Sequence, residues 1–268
     1  MNFKVVSVHL LVCIQLFVIG VTSMSAQSIT KTESLVVNFP KPDPLHFKSN
    51  EITLIDSFIN SYIPPKNFQG DMIRFAKDDS TNSRTKFDVV FTGSSSFTQW
   101  KSLVADMAPV PVLNRGFGGS RILDLVCFSK NYLYKLQPKL IFVYVENDIT
   151  LPSSYQIILL FRYLEQVYHS NIPKTKIIFC GLKKSISRKT HWTKVDEVNN
   201  YLKSSLSQIK YCDYLEMNTA LLNKSGLPSG EFFLSDSLHL NAKGYLKWVE
   251  ILKPRLKKEY DLIKRKNE

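Results

Sequence analysis

From Phe87 onward, short continuous apolar runs alternate with stretches in which apolar residues recur every three or four positions. The runs are Asp88 to Thr92, Val110 to Asn114, Leu140 to Val145, Lys176 to Cys180 and Tyr214 to Met217. Their length predicts strands, and Leu140-Ile141-Phe142-Val143-Tyr144-Val145 is apolar throughout, as a strand buried on both faces must be. Between them, Ile122-Leu125-Val126-Leu133, Ile157-Leu160-Phe161-Leu164-Val167, Val195-Val198-Leu202-Leu206 and Tyr245-Trp248-Ile251-Leu252 fall at helical spacing. Parallel strands need crossover connections, so this alternation predicts an α/β domain over residues 87–268. It should have a five-stranded parallel sheet covered by helices on both faces and a basic C-terminal helix.

The rhythm breaks before residue 87. Residues 1–26 hold one charged residue, Lys4, then an apolar run from Val5 to Val21, then Thr22-Ser23-Met24-Ser25-Ala26. This is the pattern of a secretory signal peptide cleaved near Ala26. A retained membrane anchor is the competing reading. A lipoprotein signal through Cys13 is disfavoured by Val12, which is not small. Residues 27–86 contain a proline-extended segment, Phe39-Pro40-Lys41-Pro42-Asp43-Pro44, a short helical pattern in Ile52-Ile55-Phe58-Ile59, and a polar, loop-like stretch from Lys77 to Arg84. They read as an N-terminal extension packed on the main domain. No internal repeat is visible.

Ligands of open parallel sheets bind beyond the carboxyl ends of the strands. After the first predicted strand stands Gly93-Ser94-Ser95-Ser96, after the second Asn114-Arg115-Gly116-Phe117-Gly118-Gly119-Ser120, and after the third Glu146-Asn147-Asp148. Asp236-Ser237-Leu238-His239-Leu240-Asn241 lies near the C-terminus. Together these supply a hydroxyl at a strand-to-helix turn, free backbone N–H groups, a side-chain amide, and an Asp and His three residues apart, which is the inventory of acyl transfer. A serine needs a base, and histidine is the usual one because it titrates near neutral pH. Asp236 can hold the His239 ring within a single loop. The N–H groups of Gly119 and Ser95 and the Asn147 amide are candidate donors to the developing oxyanion. Taken singly, each motif has an ordinary explanation: a serine N-cap, a phosphate-cradling glycine loop, or the start of the last helix. The glycine loop lacks the Gly-x-Gly-x-x-Gly spacing and any Lys-Ser/Thr behind it.

In their order, the four segments resemble the blocks of the SGNH hydrolases, the GDSL-like lipase/acylhydrolase family, and in particular a Gly-Ser-Ser-Ser subgroup. Phe91 to Ser96 with Trp100 resembles the first block, Asn114 to Ser120 the second, Asn147-Asp148 the third and Asp236-x-x-His239 the last, over roughly residues 70–256. Lys184 to Arg188 and the Asn199/Asn200 pair look like connecting elements of the subgroup. The resemblance implies a flavodoxin-like three-layer α/β/α sandwich, Ser95 as nucleophile with Asp236 and His239, and an oxyanion hole of Ser95, Gly119 and Asn147, with no metal or cofactor. Ser94 stands where many members have Asp, and Val145 where the third block usually has Gly. Val145 is expected to narrow the pocket or shift Asn147. No Gly-x-Ser-x-Gly elbow occurs, unlike in α/β-hydrolases.

Composition changes this picture little. The 268 residues are 44% hydrophobic and 22% charged, ordinary for a globular chain. Net charge is +12, or +11 without Lys4. The excess is scattered, with its densest piece from Lys253 to Lys266, so it reads as solvated surface and no nucleic-acid partner is expected. Of four cysteines, Cys13 leaves with the signal, and Cys127, Cys180 and Cys212 lack CxxC spacing. That argues against a disulfide framework. The expected function is a secreted or periplasmic serine esterase acting on small-molecule or glycan esters, acetyl by preference. The alternatives are a lysophospholipase or lipase, and a binding module whose oxyanion hole Val145 has disabled. The polar loops Lys183 to Thr193 and Asn223 to Glu231 motivate the short-acyl preference. No membrane span is expected after signal cleavage, and the sequence does not set the oligomeric state.

Overall fold

The computed structural model describes residues 39–265. The predicted signal peptide and residues 27–38 lie outside the described residues. Five strands, β1 (Val89–Gly93), β2 (Leu113–Gly116), β3 (Leu140–Tyr144), β4 (Lys176–Cys180) and β5 (Cys212–Leu215), form one all-parallel sheet in the order β2-β1-β3-β4-β5. The order reverses direction at β1, so the crevice between the carboxyl ends of β1 and β3 is the topological switch point.

The helices are α1 (Ser49–Asn60), α2 (Phe68–Thr81), α3 (Ser95–Thr98), α4 (Leu103–Asp106), α5 (Ile122–Tyr132), α6 (Ser154–Asn171), α7 (Trp192–Ser204) and α8 (Ala242–Arg265). Strand residues alternate between two cores. Val90, Ile141, Val143, Ile177 and Phe179 meet α5, α6 and α7 on one face. Phe91, Phe142, Tyr144, Ile178 and Cys180 meet Trp100, Leu103, Trp248 and Leu252 on the other. This is the three-layer arrangement expected of strands that are apolar on both faces.

Two strands start elsewhere than the sequence pattern suggests. The apolar stretch at Val110 to Asn114 contains Pro111, which cannot donate to a ladder, and pairing with β1 begins only at Leu113 and runs to Gly116. The last strand is Cys212–Leu215, and Met217 beyond it is buried in the α8-side core, where its carbonyl accepts Trp248 Nε1–H at 3.1 Å. The largest correction concerns Lys77 to Arg84, read as a loop. Helix α2 continues to Thr81, and its inward stripe is Phe68, Met72, Phe75 and Asp79. An acid occupies the fourth inward position, so apolar periodicity alone could not reveal the final turn.

That acid moors the extension. Asp79 Oδ1 accepts from buried Arg115 of β2, and its Oδ2 meets Lys135 at 2.9 Å. Arg115 also reaches Asp78 Oδ2 at 3.0 Å and stacks over Phe75. Further along, Tyr62 donates to Asp124 of α5 at 2.6 Å, and Arg162 of α6 bonds Glu51 and the His46 carbonyl. Phe47, Ile55, Phe68, Met72 and Phe75 enter the same core as Phe117 and Phe128. Residues 39–86 therefore share the core of the sheet. Asp79→Ala leaves the Arg115 guanidinium buried with only Asp78, and should cost about 3 kcal/mol in urea unfolding while keeping a single transition. A loss below about 1 kcal/mol would show that Asp78 suffices, as for an exposed pair.

Candidate active site

The site grows out of the end of β1. Gly93 has φ +144°, and a Cβ there would lie 1.8 Å from the Tyr144 carbonyl oxygen, so no side chain fits. The Ser94 N–H donates to that same carbonyl at 2.9 Å. The chain then turns into α3, whose first residue is Ser95. Ser96 Oγ is fully buried and accepts from Lys183 Nζ at 3.2 Å, and Ser94 Oγ is buried without a partner among the described residues. Of the three adjacent serines, only Ser95 is bonded to the imidazole.

His239 Nε2 lies 3.0 Å from Ser95 Oγ, and its Nδ1 lies 2.6 Å from Asp236 Oδ2. Asp236 Oδ1 accepts the N–H groups of Leu238 and His239, each at 2.9 Å, which closes the loop around the carboxylate. The bond to His239 and these two N–H groups hold the Asp236 carboxyl down to about 2. Within this turn Ser237 takes φ +56°. Its carbonyl accepts both the N–H and Oγ–H of Ser187 at 3.1 Å, so the 186–191 segment braces the loop. On the other side, Asn241 caps α8, and Tyr245 of that helix donates to the Ser96 carbonyl at 2.9 Å.

The donor side comes from the turn after β2 and the end of β3. Phe117 N–H bonds Gly93 O, and Ser120 N–H bonds Phe117 O, which leaves Gly119, at φ +85°, at the apex with its N–H outside the turn. Asn147 Nδ2 donates one hydrogen to the Ser120 carbonyl at 3.1 Å and retains a second. The structure thus brings Ser95, Gly119, Asn147, Asp236 and His239 to one end of the sheet. Val145 is 1% exposed and belongs to the core with Ile149 and Ile157. Its side chain packs into the core on the α5/α6 side of the sheet.

Several functional neighbours escaped the sequence reading. Lys183, expected on a polar loop, has a fully buried side chain, with Nζ 2.6 Å from Glu146 Oε1 and 3.3 Å from Tyr144 OH. Arg188 donates to Asn147 Oδ1 at 2.8 Å and to the Glu146 carbonyl at 3.3 Å. Burial alone would raise the Glu146 carboxyl, but Lys183 and Arg188 outweigh it and hold it below the usual range. A charge directly after a wholly apolar strand was the available signal, because such a group must be paired.

No protein-family model matches the sequence, and no curated protein matches it either. Solved structures do match. A Streptococcus pneumonia protein provisionally described as a platelet activating factor superposes with a TM-score of 0.62 at 18% identity, covering 78% of this chain and 100% of that one. A GDSL-like lipase from Bacteroides thetaiotaomicron gives 0.55 at 14%, covering 70% and 98%. The chain has the SGNH hydrolase fold. A carbohydrate esterase family 3 structure from Talaromyces cellulolyticus shares that fold, at 0.51 and 13% identity over 67% and 99%.

In this SGNH fold the donor turn is steadied from below by Asp148, whose Oδ2 accepts the Ile122 N–H at the start of α5 at 2.8 Å. Burial pushes the Asp148 carboxyl up to about 6, against the opposing pull of that N–H. The folded protein therefore holds this proton more tightly than the unfolded chain, where Asp titrates near 3.9. The stability that Asp148 contributes is present below about pH 4 and is lost as pH rises through about 6. Asp148→Asn should raise Tm relative to the parent by an increment that grows between about pH 4 and 6.5 and then levels. A constant increment across that range, read by scanning calorimetry, would contradict the assignment.

Proposed function

We propose that the protein is a carboxylic ester hydrolase acting through an acyl-Ser95 intermediate. The observation that carries this reading is the continuous Ser95–His239–Asp236 hydrogen-bond chain at the carboxyl end of the sheet, the end at which Gly119 and Asn147 follow β2 and β3. Ser95 Oγ attacks the ester carbonyl carbon while His239 Nε2 takes its proton. The carbonyl oxygen gains the negative charge and receives hydrogen bonds from the Gly119 and Ser95 N–H groups and the free Asn147 Nδ2–H. Collapse expels the alcohol, which takes the proton from His239. A water deprotonated by His239 then releases the acid and restores Ser95. Asp236, ionised down to about pH 2, stabilises the imidazolium in both halves. The apolar run before Ala26 supports export, to the outside or the periplasm.

For substrate we favour short acyl groups on a polar alcohol such as a sugar, supported by the polar composition of Lys183 to Thr193 and Asn223 to Glu231. The fold shared with a carbohydrate esterase agrees with it. A lipid-like ester is the second reading, and a specific feature favours it. A groove of 520 Å³ that includes Gly119 is lined by Phe58, Ile63 and Phe68 of the extension and by Leu123, Leu151 and Leu160, with Arg121, Asp124 and Asp148 also in its wall. Exposed Ile186 and Leu227 add apolar surface to the loops.

Fluorophosphonate should label the protein at Ser95 and fail to label Ser95→Ala, read by mass spectrometry, and Asn147→Ala should lower kcat by about 10²–10³. Labelling that persists in Ser95→Ala, or an Asn147→Ala loss below about threefold, would reject these roles. In kcat/KM, p-nitrophenyl acetate should exceed butyrate and palmitate, and an acetylated polysaccharide should release acetate. Palmitate ahead of acetate would replace the first reading by the second.

A further inference from the structure

A primary amide is almost symmetric in shape, yet only one of its ends can stabilise an oxyanion. Were Asn147 turned by half a rotation about its last torsion, Oδ1 would face the developing negative charge and repel it. Nothing in the bulk of the side chain prevents this, since NH₂ and O differ little in size. What distinguishes the ends is their partners. Nδ2 donates to the Ser120 carbonyl at 3.1 Å, and Oδ1 accepts from Arg188 Nη2 at 2.8 Å. A reversed amide would set oxygen against oxygen at Ser120 and NH₂ against the guanidinium.

We infer that Arg188 is a positioning residue that fixes the Asn147 amide with its N–H toward the oxyanion and polarises it for that task. The guanidinium is itself held on both sides. Nη1 donates to the Glu146 carbonyl at 3.3 Å and lies 3.8 Å from Glu146 Oε1, which is bonded in turn to buried Lys183. Its side chain is 21% exposed, so its charge acts through a partly dry medium. Lys183 and Arg188 both lie against the Glu146 carboxylate, and Arg188 also sets its guanidinium on the Asn147 amide oxygen. Withdrawing density there strengthens the opposite N–H as a donor, and the effect is greatest when negative charge has formed. Arg188 thus acts on the transition state through Asn147 without touching the substrate.

The inference rests on the hydrolase reading, and a double-mutant cycle separates the two. With p-nitrophenyl acetate, Arg188→Ala should lower kcat by about tenfold or more with KM changed less than about threefold, and Arg188→Lys should recover part of the loss. In the Asn147→Ala background the same substitution should cost less than about twofold, because the group it serves is gone. An equal loss in both backgrounds would overturn the inference, as would a kcat for Arg188→Ala within about twofold of the parent. Melting temperatures of each variant identify simple unfolding. Independently of turnover, the two Asn147 side-chain amide protons in ¹⁵N-labelled protein should shift and exchange faster in Arg188→Ala. Unchanged signals would overturn the inference even if the protein hydrolyses no ester, while shifted signals without turnover would reject only the hydrolase reading.

Discussion

Where β1 ends, its backbone lies against the Tyr144 carbonyl of β3 so closely that a methyl group at Gly93 would sit 1.8 Å from the oxygen. The Ser94 N–H then bonds that carbonyl. This contact ties the turn bearing Ser95 to the segment bearing Glu146 and Asn147, and it can form only where the residue has no side chain. The other parts follow from it. Phe117 N–H takes the Gly93 carbonyl and so places the glycine turn, while Asn147 spans to Ser120 and closes the ring of donors. The turns bearing Ser95 and Gly119 are thereby tied to the ends of β1 and β3 through backbone hydrogen bonds.

The polar groups beneath the site raise a cost that packing elsewhere must offset. Lys183, Glu146 and Tyr144 are buried, and two carboxylates, Asp124 and Asp148, lie under the donor turn with their pKa values raised by burial. Each is satisfied: Lys183 by Glu146, Asp148 by the Ile122 N–H, Asp124 by Tyr62 and the Arg121 N–H. Removing one member of such a set strands its partner, which costs more than the bond itself was worth. The extension takes part through Tyr62, so residues far outside the motif blocks stabilise the ground on which the donor turn stands.

How much of this was legible beforehand depended on the kind of signal. The sheet was readable because Leu140 to Val145 is apolar throughout and admits few alternatives to a buried strand. Ser95, Gly119 and Asn147 drew attention because short polar segments stood at strand ends, and Asp236 and His239 because they stand three apart on a late loop; the structure brings Ser95, His239 and Asp236 into one hydrogen-bonded chain. The last turn of α2 was not, since Asp79 takes an inward position that periodicity reserves for apolar residues. The start of β2 was obscured by apolar residues around Pro111, which resemble a strand but cannot pair as one. Arg188 and Lys183 lay in a segment noted for its polarity and, from Lys184 to Arg188, as a connecting element, and polarity in sequence does not distinguish a solvated lysine from one buried against Glu146. Val145, whose departure from the family pattern drew attention, is packed into the core with Ile149 and Ile157.

Ser95 opens the first helix after β1, whereas the imidazole it meets lies 144 positions further along the chain. The helix that follows His239 also holds the Ser95 turn, through Tyr245 OH on the Ser96 carbonyl, and the segment after β5, through Trp248 on the Met217 carbonyl. During synthesis, the serine emerges and can fold against its sheet long before its base exists. The Ser95–His239 hydrogen bond can therefore form only once the loop leading into α8 has been made.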